Sequence, residues 1–381
     1  MKKIAIVHEW FTTFAGSEKV VQQMLQVFPQ ADLFGLIDFL PEKDRALLNH
    51  KTIQTSFLQN MPFVKKNYRL YLPLMPLAIE QVDLSGYDLI LSSSHAVAKG
   101  VISGPEQLHI SYVHTPIRYA WDMQNEYLNT NRLNSVKAMA ARLVLHYIRN
   151  WDALAASRPD VLITNSKFVA RRIQKTYRRD AHVIYPPVDT DYFAAGNQRE
   201  DFFLTASRLV PYKRIDLIAQ AFREMPDKKL VIIGDGSEAP KIKALCGPNV
   251  TWLGYQPDDV LKDYMQRCRA FIFAAKEDFG IISAEAQACG APVIAYGEGG
   301  VRETVAHGPG AAEPTGILYP EQSAASIRAA VLEFERNRDQ FTSDACRKNA
   351  ERFSIERFRQ EFHDFVLSAW DGFESRIVSR N

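Results

Sequence analysis

The chain has 381 residues, 46% of them hydrophobic and 24% charged, with a formal net charge of +2 at pH 7. That length suits two domains better than one core, and the composition excludes a disordered or fibrous chain. The small net charge hides an asymmetry of +7 over residues 1–185 against −5 over residues 186–381, which points to an anionic partner for the first half.

In chain order, KKIAIVHEW predicts a strand and GSEKVVQQMLQVF carries apolar residues at helical spacing. YDLILSSS and LHISYVH predict two further strands, the second ending at His114. Residues 135–157 predict a long helix, followed by the strand DVLITNS and the helix SKFVARRIQKTY. Strands alternating with helices predict a parallel sheet covered on both faces. HVIYPPVDTDYF, with two prolines and little periodicity, reads as a connection between domains.

The pattern then restarts. DFFLTASRL, KLVIIGDG, NVTWLG, AFIFAA and PVIAY predict strands, and RIDLIAQAFREM is one of the helices between them. The expected domains are residues 1–186 and 187–357, both doubly wound α/β units of the Rossmann-like kind. A terminal helix over about 358–381, with Phe358, Phe362, Phe365, Val366 and Ala369 in an apolar stripe, is expected to complete the first domain. Two such domains in tandem are expected to face each other across a cleft at the C-terminal edges of their sheets.

Residues 276–285, KEDFGIISAE, hold two carboxylates around an apolar stretch opened by a glycine. Glu277 should lie just past a strand and Glu285 in the first turns of the next helix. Amides near Gly280 and Ile281 would then point out of a helix N-terminus, an anion site with a carboxylate at each edge. For this peptide alone, a surface glutamate beside a helix-start glutamate explains the pattern equally well.

The ordered set FAGSEKV, VHTPIRYAWD, TNSKFVARRI, YPPVDTDYF, SRLVPYKRID, IIGDG, EDFGIISAEAQACGAPVIAY and GEGGVRETV covers nearly the whole chain. It resembles a family 4 retaining glycosyltransferase of the GT-B fold, and is most similar to bacterial mannosyltransferases of O-antigen and exopolysaccharide assembly. The resemblance implies that Arg208 and Lys213 hold the pyrophosphate of a sugar nucleotide, one as a planar fork and the other as a mobile point charge. It implies that Glu285 reads the ribose hydroxyls and Glu277 the transferred hexose, with Phe279, Gly280 and Ile281 between them. A glycosidase-like acid and nucleophile pair is disfavoured, because the cations indicate a charged leaving group.

The same resemblance places His114 beside the hexose or the acceptor, and Arg118, Tyr119, Trp121 and Asp122 around the acceptor. A lone histidine is more often structural, and the aromatics here could simply pack. Gly16 and Gly234 are expected at backbone turns against the donor, with Gly299 and Gly300 beside the phosphates. Where many relatives have two glycines, this chain has Ala15 before Gly16, which leaves the loop conformation open. Asp189 and Asp191 form a D-x-D triplet that holds a metal in another glycosyltransferase fold; here it reads as loop and helix-start chemistry, and no metal or cofactor is expected.

Residues 57–76 mix Lys65, Lys66 and Arg69 with apolar side chains, which suits either docking on an anionic bilayer or a buried helix with a basic edge. The four cysteines are scattered and no apolar run reaches membrane-spanning or signal length, so a cytoplasmic protein, peripheral on the inner face of the cell membrane, is expected. The expected reaction is transfer of mannose from GDP-mannose to a polyprenyl-diphosphate-linked or saccharide acceptor. UDP-glucose or GDP-fucose on the same scaffold, or a non-catalytic sugar-nucleotide-binding scaffold, are the alternatives. Nucleic acid is not an expected partner, since the basic residues are dispersed and no binding motif accompanies them.

Overall fold

The computed structural model describes residues 2–125, 128, 135–196, 198–308 and 311–378. It divides into one unit of Met1–Pro187 with Glu356–Asn381 and a second of Val188–Ile355. Among the described residues, the first unit holds seven parallel strands: β1 (Ile4–Phe11), β2 (Asp32–Asp38), β3 (Ile53–Thr55), β4 (Leu89–Ser94), β5 (Leu108–Val113), β6 (Val161–Thr164) and β7 (His182–Val183). Their spatial order is β3-β2-β1-β4-β5-β6-β7, so the winding direction reverses between β1 and β4.

The sheet is buried on both faces, and β1, β4 and β5 are accordingly buried at nearly every position. One face packs Ile4, Ile6, Leu91, Ile110 and Tyr112 with Phe358, Phe362, Val366, Trp370 and Phe373 of the helix Ile355–Val378. Each of those helix side chains contributes roughly 1.5–3 kcal/mol by leaving water. The opposite face packs Ala5, Val7, Phe34 and Ile90 with Val97, Ala98 and Trp151. Residues 379–381 of the predicted terminal helix lie outside the described residues.

The second unit holds β8 (Phe203–Ala206), β9 (Leu230–Ile233), β10 (Val250–Trp252), β11 (Phe271–Phe273), β12 (Val293–Tyr296) and β13 (Gly316–Tyr319). All pair in parallel in the order β10-β9-β8-β11-β12-β13, with the reversal between β8 and β11. Both units are therefore doubly wound Rossmann-like domains, as the alternation predicted.

The predicted long helix runs over Ser135–Ala155, and His114 lies one residue beyond β5. The basic stretch 57–76 is a chain of short helical turns rather than one helix. Leu58, Val64 and Met75 are buried there, whereas Phe63 and Leu70 are 82% and 78% exposed beside exposed Lys65, Lys66 and Arg69. Among the described residues, no helix is long and apolar enough to cross a membrane. All four cysteines are free, and burial pushes the thiols of Cys268, Cys289 and Cys346 up to about 12.

Candidate functional site

In an open parallel sheet, loops leaving the C-terminal ends of the two strands at a winding reversal diverge, and a crevice opens between them. In the second unit those loops follow β8 and β11, and they carry Arg208, Lys213 and Glu277. Lys213 closes the short helical turn Pro211–Lys213, and its ammonium meets Glu277 Oε1 directly. Both side chains are mostly buried, at 13% and 19% exposure. Arg208 is exposed and donates to the Tyr212 hydroxyl at 3.2 Å.

Gly280 then caps the helix Ile281–Ala288 with φ of 84°, a left-handed conformation that a side chain with a Cβ resists. Glu285 is buried on the second turn of this helix. The ring of Phe279 turns inward, edge-on to Phe353 with centroids 5.2 Å apart, so its backbone rather than its ring borders the loop.

The Glu277 loop is held from below. Gly300 N donates to Glu277 O at 2.8 Å, and a Cβ on Gly299 would sit 2.4 Å from that same oxygen. Backbone approach of this kind needs glycine, so Gly299 and Gly300 support the loop that carries the carboxylate. Gly234, at the end of β9, lies against the carbonyl of Ser207 just before Arg208. Asp189 accepts from the Tyr192 amide at 2.9 Å, while Asp191 is exposed and 3.8 Å from Arg347; the two carboxylates of the triplet are engaged separately.

In the first unit the reversal lies between β1 and β4, and the cluster there was not read from the sequence. His8 and Glu9 lie in the C-terminal half of β1, His95 follows β4, and His114 follows β5. Glu9 is fully buried, and its Oε1 accepts from the Ser94 hydroxyl at 3.1 Å and from the amides of His95, Ala96 and Ala98 at 2.9, 2.8 and 3.1 Å. Its Oε2 lies 3.0 Å from His95 Nδ1 and 3.6 Å from His8 Nδ1. Burial opposes the Glu9 charge, but the charges of His95 and His8 and these hydrogen bonds hold its carboxyl well below the usual carboxylate range.

His8 Nδ1 is 3.0 Å from the Ser93 carbonyl and its Nε2 is 3.5 Å from Glu18 Oε1. Burial works against a charged His8, yet the hydrogen bond and charge of Glu18, with Glu9, raise its pKa. Glu18 also suffers burial, and His8 with Ser17 brings it down to about 2. Its Oε2 accepts from the Ala15 amide at 3.1 Å, which closes the start of the helix Gly16–Val27. Ala15 has φ of −135°, extended backbone open to any residue, so alanine fits there without strain.

His114 Nε2 is 2.9 Å from Ser93 Oγ, and desolvation, followed by the charges of His95 and His8, lowers it to about 3. It is therefore a neutral imidazole at working pH. Trp121 donates its indole N–H to buried Asp152 at 2.7 Å, and Asp122 pairs with Arg172 at 2.6 Å. Arg118 and Tyr119 lie on the same turn, where the Trp121 amide donates to Arg118 O at 3.2 Å. His8, Glu9 and His95 could also hold a metal ion by ligand type and proximity.

Residues 190–353 match the family described as glycosyl transferases group 1, and residues 15–192 match Glycosyltransferase Family 4. An uncharacterized glycosyltransferase of Methanocaldococcus jannaschii is 27% identical over 191 residues, 49% of this chain and 52% of that protein. The D-inositol 3-phosphate glycosyltransferase of Mycobacteroides abscessus is 30% identical over 186 residues, 42% of this chain and 41% of that protein. The chain thus spans about half the length of the curated relatives it matches, or less.

Among solved structures, HepE of Anabaena in complex with UDP has a TM-score of 0.68 at 18% identity, over 96% of this chain and 100% of that one. Sucrose-phosphate synthase of Thermosynechococcus elongatus has a TM-score of 0.72 at 16% identity, over 98% and 100%. At those identities the likeness establishes the fold, which is GT-B.

Proposed function

Starting from a chain whose two halves match Glycosyltransferase Family 4 and glycosyl transferases group 1, and which the two matches together support as a GT-B family 4 glycosyltransferase, we propose that it is a retaining hexosyltransferase that moves mannose from GDP-mannose to a lipid-linked or saccharide acceptor in surface-polysaccharide synthesis. The observation that carries this reading is the meeting of Lys213 and Glu277 at the β8/β11 reversal, next to the Gly280-capped helix. It joins a cation for a diphosphate to a carboxylate for sugar hydroxyls, at the place where an open sheet binds ligands.

In this mechanism the bond between the sugar C1 and the diphosphate oxygen breaks while the acceptor oxygen bonds to C1 on the same face. Arg208, Lys213 and the amides at Gly280 and Ile281 stabilise the charge that collects on the departing diphosphate. That diphosphate takes the proton of the incoming hydroxyl. Glu285 holds the ribose, Glu277 orients the hexose, and neutral His114 accepts or donates one hydrogen bond to hexose or acceptor. The residues present supply positive charge without a metal ligand set at this site, and no metal enters the reaction as proposed.

The UDP complex of HepE makes a UDP-sugar the second donor to test. Thermal unfolding with GDP-mannose, UDP-glucose and GDP-fucose discriminates them. A donor at one hundred times its Kd stabilises the folded protein by about 2.7 kcal/mol. GDP-mannose is expected to give the largest shift; a larger one from UDP-glucose would replace the donor, and no shift from any of the three would overturn the reading.

A lipid-linked acceptor also calls for a membrane contact, for which exposed Phe63 and Leu70 beside Lys65, Lys66 and Arg69 are suited. Changing all three basic residues to serine should weaken binding to phosphatidylglycerol-rich vesicles by about 1 kcal/mol per residue removed. Equal sedimentation of both proteins with the vesicles would remove this contact from the reading.

A further inference from the structure

We propose that His95 is a direct acceptor contact: its Nε2 hydrogen-bonds a hydroxyl of the acceptor sugar, and buried Glu9 is the positioning residue that aims it. The inference rests on the transferase reading and extends it to residues that no motif in the chain singled out.

Three observations converge on His95. The first is location. Glu9 lies near the C-terminal end of β1 and His95 follows β4, so the pair occupies the winding reversal of the first unit, just as Lys213 and Glu277 occupy that of the second. A crevice is expected at each reversal.

The second is the way Glu9 is fixed. Four donors hold Oε1, three of them backbone amides of the loop that carries His95 itself. The carboxylate therefore cannot turn without dragging that loop, and its other oxygen stays 3.0 Å from His95 Nδ1. An ionised carboxylate facing Nδ1 favours a proton there and leaves Nε2, the other ring nitrogen, to meet the hydroxyl. The edge of Trp10 packs on the ring, centroids 4.7 Å apart at 87°, and restricts its rotation.

The third is access. His95 Nδ1 is buried, yet the side chain is 27% exposed, so its exposure lies on the rest of the side chain, which includes Nε2. His8 and His114 differ in this respect. His8 is fully buried, and His114 Nε2 already meets Ser93 Oγ at 2.9 Å. A burial of Glu9 this complete desolvates a charge at considerable cost, and orienting one imidazole toward an open edge accounts for keeping it.

The cluster could instead be a metal site, and His8 decides against it. Its Nδ1, the atom nearest Glu9 Oε2, is 3.0 Å from the Ser93 carbonyl, a contact that requires a proton on that nitrogen. That leaves one carboxylate oxygen and one imidazole, too few ligands for a tetrahedral ion.

The test compares wild type, His95→Asn and Glu9→Gln in transfer from GDP-mannose and from UDP-glucose to octyl α-mannopyranoside, with folding checked by thermal melts. Asparagine keeps a donor toward Glu9 but lacks Nε2. His95→Asn is expected to raise the acceptor KM at least tenfold while the donor KM moves less than twofold; Glu9→Gln should shift the acceptor KM in the same direction by a smaller factor. An unchanged acceptor KM in His95→Asn overturns the assignment and leaves the transferase reading standing. Donor and acceptor KM rising together would show a merely structural role, and an acceptor KM that a chelator raises in wild type would show a metal instead; each overturns it. Wild type that transfers neither sugar and hydrolyses neither donor would overturn the transferase reading itself.

Discussion

Lys213→Ala is expected to lower kcat for sugar transfer about a hundredfold or more while donor KM changes less. Removing one preorganised group that faces developing charge typically costs on the order of 3–4 kcal/mol in the transition state. The diphosphate gains negative charge only as the sugar departs, so the loss falls mainly on kcat. The contact with Glu277 adds a second consequence. Without the ammonium, a mostly buried carboxylate at 19% exposure keeps its charge beside the incoming phosphates and repels them. A Lys213→Ala, Glu277→Gln double variant removes that repulsion and should recover part of the lost donor affinity but not the lost kcat. A chelator should leave wild-type activity nearly unchanged, because in the proposed reaction Arg208 and Lys213 supply the positive charge. Steady-state transfer by the three proteins, with and without chelator, checks all of this. An unaltered kcat in Lys213→Ala, or wild type silenced by chelation, would place the diphosphate elsewhere.

Asp152→Ala is expected to destabilise the first unit by about 3–5 kcal/mol, the usual cost of stranding one member of a buried ion pair. Asp152 is fully buried and Lys99 is 1% exposed. Asp152 Oδ1 meets the Lys99 ammonium, and its Oδ2 accepts from Trp121 Nε1 at 2.7 Å and from the Tyr177 hydroxyl at 2.8 Å. One carboxylate thus satisfies three donors from three separate elements, and alanine would leave all three buried without it. Burial and the neighbouring Asp152 charge hold the Tyr177 phenol well above its usual range, so it stays a donor at any working pH. A Lys99→Met, Asp152→Leu double variant, which has no stranded charge, should recover much of the loss. Urea unfolding of the three proteins measures it, and a single-variant loss below about 1 kcal/mol would show that water reaches Lys99. Trp121 enters the same network, so Trp121→Phe tests packing and hydrogen bonding of this unit before it tests acceptor affinity.

Parallel strands covered on both faces are rich in apolar residues at consecutive positions, and for that reason β1, β6, β8, β9, β11 and β12 were legible as runs in the sequence. β2 was not, because Gly35 interrupts it and its ends are acidic; β3 and β7, at three and two residues, carry no run, and β13 opens on Gly316 with only three residues after it. The candidate site in the second unit was legible because its parts are local. Glu277, Gly280 and Glu285 lie within one strand-loop-helix connection, where spacing along the chain nearly determines spacing in the molecule. The contact of Lys213 with Glu277 joins two such connections 64 residues apart, and only the pairing of β8 beside β11 brings it about. Glu9 lies 86 residues from His95, and Lys99 lies 53 from Asp152. In the sequence each of these is one ionisable residue among many, with nothing nearby to mark it. Burial is what gives them meaning: once the sheet closes over them, a charge must find its partner across the fold, and strand order rather than local pattern selects which partner that is.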